Sequence, residues 1–324
     1  MADSGLIVPD GMTMRAATMD DSGAVAGLIE ASDLEEFGEP EYSEGDLRGE
    51  WEDDDLPLDT RLILTGDGQV VGYGNVYTRG PARIDAEGYV HPRFYGRGIG
   101  SALIRWTEAR AADHLATAPP ELRVVLNNAT SARNPGATAL LTANGYAPVR
   151  YFWQMRAQLD APPPAPQWPA GIAVRPVVSE ADVRAVYEAL EESFRDHWGH
   201  HPRTFAEWQR DNKDAPDHSL WFLAMDGEQV AGAAVCRMFL ETIGWVGSLG
   251  VRRPWRGKGL GKAMLRHVMT EFYGRGTTTI GLGVDAANPT GATRLYERAG
   301  MGVKSEYAVF QKELRAGEEP AAEH

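Results

Sequence analysis

Between Arg256 and Leu265 the chain reads RGKGLGKAML, with three glycines at alternate positions among cations, running into a helical pattern. The start of a helix carries unpaired backbone N–H groups and the positive end of the helix dipole, so it attracts anions. Glycine lets the backbone come close to a ligand and adopt conformations other residues resist, and several amides can then converge on one phosphate. Arg252, Arg253, Arg256, Lys258 and Lys262 bring positive charge to the same place. This chemistry suits a phosphate, and a diphosphate above all; the plainer reading is a tight strand-to-helix connection. Spacing excludes two nucleotide loops. Ala263 follows Lys262 and residue 256 is Arg, so G-x4-G-K-[ST] is absent, and G-x-G-x-G is not the dinucleotide pattern G-x-G-x-x-G. A near copy, YGRGIGSALI from Tyr95 to Ile104, carries Gly96, Arg97, Gly98, Ile99, Gly100 and Ser101.

Two similar runs of elements must position these loops. DAPPPAPQWPAG, Asp160 to Gly171, holds five prolines and reads as a stiff linker. After it come a strand IAVRPV, a helix from Ser179 opened by a Ser-x-x-Asp capping box, and a helical stretch around PRTFAEWQRDN. The strands SLWFLAMDG, QVAGAAVCRMFLE and IGWVGSLGV follow, then the loop and its helix to about Tyr273. The strand TTIGLGVDA, the helix GATRLYERAG and a final strand pair in GVKSEYAVFQKEL complete the half. The first half repeats the order: MTMRAAT, a helix from Asp20 to about Phe37, TRLILTGDG, QVVGYGNVYT, ARIDAEGYV, the loop and helix, LRVVLNNA, GATALLTANG and YAPVRYFWQMRAQL. Val90 lies eight residues before Gly98 as Val251 lies eight before Gly259, and GAT recurs at Gly136 and Gly291. Duplication accounts for this. The expected division is a domain over 12–159, a linker over 160–171, a domain over 172–315 and a flexible tail over 316–324.

Composition narrows the class. A chain of 324 residues with 43% apolar and 24% charged residues is globular and long enough for two cores. No run approaches the roughly 18 apolar residues of a membrane span, so no membrane partner is expected. MADSGLIVPDGM lacks the basic and apolar regions of a secretory signal. The single cysteine, Cys236, cannot form an internal disulfide and reads as a small buried hydrophobe, which points to a reducing cytoplasm. The net charge of −14 resides mostly in the first 160 residues, where 25 acids face 13 arginines, and it argues against nucleic acid. EWEDDD, Glu50 to Asp55, is either a solvated face or an attractor of a cationic partner.

LGVRRPWRGKGLGKAML carries the [QR]-x-x-G-x-[GA] signature at Arg256, Gly259 and Gly261. With NPTGATRLYERAG and the element order of both halves, the chain resembles the GCN5-related N-acetyltransferase (GNAT) superfamily over nearly its whole length outside the termini and linker. Its two-domain form is similar to that of mycothiol synthase-like actinobacterial proteins. The resemblance implies an α/β (α+β) class: two tandem GNAT folds, each a mixed, mostly antiparallel splayed sheet flanked by helices. It implies acetyl-CoA as cosubstrate, with the pantetheine arm between the fourth and fifth strands. Leu249, Gly250 and Val251 would lie beside the thioester, and a backbone N–H there would polarise its carbonyl. Arg256, Gly257, Lys258, Gly259, Leu260, Gly261 and Lys262 would hold the diphosphate, with Gly96 to Ser101 as the counterpart. Asn288 would touch the pantetheine arm. Tyr296 would protonate the departing thiolate, a task a phenol neutral at pH 7 can perform; otherwise it is an amphipathic core tyrosine.

The first half departs where it matters: Tyr95 stands for Arg256 and Leu141 for Tyr296. Its domain is expected to be catalytically degenerate. The glutamate that the resemblance implies on the fourth strand is missing from WVGSLGV, and Glu241 lies upstream of it. RDHWGHHPRTFAEW offers His197, His200 and His201 beside Asp196 and two tryptophans. His197 is the candidate base, and the tryptophans could wall an acceptor pocket. The spacing also permits a metal pair, although Gly199 and Pro202 disturb the helix; surface or helix-cap histidines are the remaining reading, and no metal site is assigned. Glu191, Glu192 and Asp196 suit a cationic acceptor or a solvated helix face equally. The expected activity is transfer of acetyl from acetyl-CoA to a small-molecule amine by direct attack in a ternary complex, in the C-terminal domain. The alternatives are a non-catalytic acyl-CoA-binding sensor or scaffold, and an acyltransferase using longer-chain or carrier-protein donors. A monomer or a homodimer fits.

Overall fold

The computed structural model describes residues 7–319 apart from positions 81, 214, 216 and 289. The first residues read for a signal, and positions 320–324 of the expected tail, lie outside the described residues. In chain order the elements of the first half are β1 (Met12–Arg15), α1 (Ser22–Phe37), α2 (Glu44–Trp51), α3 (Leu56–Asp59), β2 (Thr60–Thr65), β3 (Val70–Thr78), β4 (Arg83–Val90), α4 (Ile99–Leu115), β5 (Val124–Ser131), α5 (Pro135–Ala143) and β6 (Ala147–Gln158). The second half contains β7 (Ile172–Pro176), α6 (Glu180–Phe194), α7 (Phe205–Asp211), β8 (Trp221–Asp226), β9 (Gln229–Phe239), β10 (Ile243–Val251), α8 (Leu260–Gly274), β11 (Thr279–Asp285), α9 (Ala292–Arg298) and β12 (Gly302–Arg315).

Two compact units form, and they do not coincide with the sequence halves. Of the described residues, one takes those up to Tyr151 and Glu306 to Glu319; the other takes Phe152–Ser305. In the first, Tyr307–Arg315 of β12 runs antiparallel to β5, and Ala308 and Phe310 enter that unit's core. In the second, Phe152–Gln158 of β6 runs antiparallel to β11, and Met155 and Ala157 enter its core. Each unit is thus completed by a strand from the opposite half. The expected final strand pair is one 14-residue strand, because nothing after Gly302 breaks its extended run. Residues 316–319, expected in a flexible tail, are tied down: Glu318 exchanges backbone hydrogen bonds with Glu121 and Arg123.

Within each unit the sheet is antiparallel except for one pair. β4 runs parallel to β5 only over Arg83–Ala86, and β10 runs parallel to β11 only over Ile243–Val246. Beyond those residues the strands part. β9 is buried on both faces, which its small residues Ala231, Ala233, Ala234 and Cys236 allow. The α6 helix packs so closely that a Cβ on Gly250 would lie 2.8 Å from that of Ser193, so only glycine fits this point of β10. The α8 helix covers the sheet with Leu260, Leu265, Val268 and Phe272.

The cap of α6 differs from a full capping box. Ser179 Oγ accepts from the Asp182 N–H at 3.2 Å, but the Asp182 carboxylate turns to Arg175 Nη2 at 2.6 Å and the Val178 N–H at 3.0 Å. Arg175 beside it holds that carboxyl well below the usual range. Ser179→Ala should cost about 1 kcal/mol, read as a lowered Tm.

The acidic stretch at Glu50 is not simply a solvated face. Trp51 is buried, its Nε1 donates to the Tyr73 hydroxyl at 2.9 Å, and the Glu50 carboxylate accepts from the Tyr42 hydroxyl.

Candidate active site

The parting of β10 and β11 opens a cleft of about 540 Å³ in the second unit. Its floor is the end of β10, re-aimed by an irregularity in its pairing with β9 between Val246 and Ser248. The Arg252 N–H donates to the Ala231 carbonyl on the β9 side, so strand alternation turns the backbone of Leu249 and Val251 toward the gap. One end of the cleft is closed by the glycine loop. Gly257 and Gly259 have φ of +74° and +84°, and a Cβ on either would meet nothing within 4 Å. These positions need glycine for their backbone conformation, and the space before them is open. Gly259 caps α8 without any side-chain bond, leaving the first-turn amides to face that space. A diphosphate fits this donor set.

The cations of the loop divide by partner. Arg256 Nε and Nη2 donate to the carbonyls of Val251 and Ser193, each at 2.9 Å, clamping the loop to β10 and the end of α6. Arg252 pairs with Glu192 at 2.6 Å and Arg253 with both oxygens of Asp196 at 2.8 Å. The expectation that these two arginines surround an anion is corrected accordingly, and so is the cationic-acceptor reading of the α6 acids, since Glu191 likewise faces Arg203 at 2.9 Å. Lys258 and Lys262 make no ion pair among the described residues, and Lys262 lines the cleft.

The other candidates fall on two sides. Asn288 and Tyr296 line the cleft beside the glycine loop. The Asn288 Oδ1 accepts from the Thr290 N–H at 2.8 Å, setting the turn before α9. Burial raises the pKa of Tyr296, so its hydroxyl keeps its proton at neutral pH. His197 also lines the cleft, its ring edge against Phe194 at 4.6 Å between centroids. Burial lowers its pKa, partly opposed by Asp285, so the imidazole is neutral at pH 7. His200 turns away to Glu191 at 3.5 Å. Trp198 lies tilted against Phe152 at 6.1 Å between ring centroids on the cleft wall, whereas Trp208 is a core residue against Trp221. Glu241 sits in the turn between β9 and β10 with φ of +58°, at the far end of β10 from Leu249. Cys236 is buried and its thiol pKa is pushed up by burial. Sequence reasoning missed Asp285 and Phe152. Asp285 ends an apolar strand without any motif, and Phe152 reaches the cleft only through the exchanged strand.

The loop of the first unit repeats this backbone. Gly96 and Gly98 have φ of +74° and +84°, equal to their counterparts. Its surroundings differ: Pro9 would lie 3.7 Å from a Cβ on Gly98, Arg97 stacks over Phe94, and Leu141 is buried where the second unit has Tyr296.

A split between parallel strands, closed by a glycine turn and a bare helix start, defines an acyl-CoA-dependent acetyltransferase fold, present here twice. Residues 24–146 and 183–301 match the Acetyltransferase (GNAT) family, and the chain belongs to that family as a tandem acetyltransferase. It is 33% identical over 248 residues to a mycothiol acetyltransferase of Streptomyces scabiei, covering 74% of this chain and 75% of that protein. It is 31% identical over 274 residues to the mycothiol acetyltransferase of Salinispora arenicola, covering 80% and 83%. A GCN5-related N-acetyltransferase from Sphaerobacter thermophilus is similar across 97% of this chain and 99% of that one, with TM-score 0.86 and 39% identity. A tandem GNAT protein from the clavulanic acid biosynthesis pathway shares the fold at TM-score 0.72 and 16% identity, over 95% of this chain and all of that one. No helix among the described residues is long and apolar enough to cross a membrane.

Proposed function

We propose that the second unit transfers acetyl from acetyl-CoA to a primary amine of a small molecule, by direct attack within a ternary complex. The observation that carries this reading is the convergence of the bare α8 start, the β10 end and Tyr296 on one cleft. The likeness to mycothiol acetyltransferases supports a small polar amine as acceptor. Acetyl-CoA supplies an activated thioester. The amides of Gly257 to Gly261 and Lys262 bind its diphosphate, and Arg256 holds that loop in place. A backbone N–H of Leu249 or Val251 stabilises the charge that develops on the carbonyl oxygen. His197 removes a proton from the amine, and Tyr296 returns one to the sulfur.

Initial rates with both substrates varied test this order of events. Intersecting reciprocal plots are expected; parallel lines would mean an acyl-enzyme and contradict direct attack. The pH profile follows from the two side chains. His197 must be unprotonated and its pKa is depressed, so activity should hold below the ordinary imidazole range and fall as pH drops through the lowered value. Tyr296 must be protonated and its pKa is raised, so the alkaline limb should lie above the ordinary phenol range. His197→Gln should abolish the acid limb while leaving the alkaline one.

A further inference from the structure

Where β10 and β11 part, both strands offer bare backbone. Their last paired residues are Val246 and Leu282, and the next on each strand, Gly247 and Gly283, are exposed glycines that line the cleft. Neither needs glycine for its own conformation, since neither has a positive φ. Within 4 Å, a Cβ on Gly283 would meet only Trp245, at 4.0 Å, and one on Gly247 only the Val235 carbonyl, at 3.4 Å. The missing side chains therefore leave a slot at the fork rather than a tight packing point. Rings border it. Antiparallel pairing with β6 puts Phe152 opposite Asp285, two residues along β11 from Gly283 and on the same face of the sheet. Trp198 lies against Phe152, and both line the cleft. Polar side chains are sparse at this end. Among the described residues that line it, His197 is the base of the proposed transfer, the Asp285 Oδ1 already accepts from the Ala287 N–H at 2.9 Å, and Ser248 holds one hydroxyl.

We infer, on the reading that this cleft performs the transfer, that the acceptor is a primary amine carried on a flat aromatic ring, selected by Gly247, Gly283, Phe152 and Trp198. The edge of such a ring enters between the two glycines, and its faces meet Phe152 and Trp198 in the tilted or offset arrangements that aromatic pairs favour. The amine end then reaches His197, and Asp285, whose charge is felt at that imidazole, attracts it while it is still an ammonium. The polar character of the acceptor thus resides in its amine. A polyhydroxylated amine fits less well, because its hydroxyls would leave water for a wall with few partners, and each polar group buried unpaired costs binding. A straight aliphatic amine fits less well too, because it removes less of the ring surface from water.

Initial rates with phenethylamine and with glucosamine, followed as CoA release, test this on the full chain and on Trp198→Ala and Gly283→Leu. Phenethylamine is expected to show a kcat/KM at least tenfold above that of glucosamine. Trp198→Ala should raise the KM for phenethylamine at least fivefold with little change in kcat. Gly283→Leu fills the slot from a backbone that tolerates a side chain, and should lower kcat/KM for phenethylamine at least tenfold. Calorimetry should find the CoA affinity of both variants within twofold of the unmodified chain, which separates a lost acceptor from a lost fold. Glucosamine turned over as well as phenethylamine or better, or phenethylamine kinetics unaltered in both variants, would overturn the aromatic acceptor and leave the transfer standing. Loss of CoA affinity in Gly283→Leu would place the slot under the pantetheine arm and overturn it as well. Turnover of neither amine by a chain that binds acetyl-CoA would contradict the transfer itself, and the acceptor class with it.

Discussion

Replacement of Tyr296 by phenylalanine is expected to lower kcat on the order of 100-fold, with acetyl-CoA affinity unchanged. Tyr296, on α9, lines the cleft, and burial keeps its hydroxyl protonated throughout the neutral range. Phenylalanine preserves the ring that packs against the core of the second unit, so folding should not suffer. What is lost is the proton for the departing thiolate, which must then leave as an anion or wait for water. Rates under saturating cosubstrate, beside calorimetry with CoA, separate the two quantities. Unchanged kcat would return Tyr296 to the role of a packing residue.

Gly259→Asp is expected to weaken CoA binding on the order of 100-fold or more. Two costs arise. A non-glycine residue at φ of +84° carries about 1–2 kcal/mol of backbone strain. A carboxylate then stands where the α8 amides face an incoming diphosphate, and like charge replaces attraction. Every 1.4 kcal/mol is a factor of ten, so repulsion and lost amide contact of about 3 kcal/mol reach this figure, while the strain is felt in folding. A Cβ at the site meets nothing within 4 Å, so Tm should fall only by the few degrees that the strain costs; calorimetry and thermal denaturation together check both parts.

The sequence carried the loops well, because the demand for positive φ leaves a visible mark. Gly257 and Gly259, like Gly96 and Gly98, stand where the chain must enter the left-handed region. The fold order was equally legible, since strands and helices have different apolar periods. The strand exchange was not. Met155 and Phe310 bury themselves whether their strands pair at home or in the other unit, so the hydrophobic pattern is the same in both cases. Partners of charged side chains were likewise hidden. Arg252 and Arg253 read as anion ligands from proximity to the glycines, but the end of α6 delivers Glu192 and Asp196 to them from about 60 residues away. Among three clustered histidines, nothing local told His197 in the cleft from His200 on Glu191. Only the turn of chain after α6 separates them.

The central claim is that the glycine loop of the second unit, and not its twin, serves the transfer. Turnover of a primary amine by Gly259→Asp and by Gly98→Asp, measured side by side at one acetyl-CoA concentration near the KM of the unmodified protein, tests it most directly. The two positions share φ of +84°, so strain is matched between the variants. Turnover nearly abolished in Gly259→Asp and retained in Gly98→Asp is the expected result. Loss in Gly98→Asp with retention in Gly259→Asp would move the chemistry to the first unit and contradict the account.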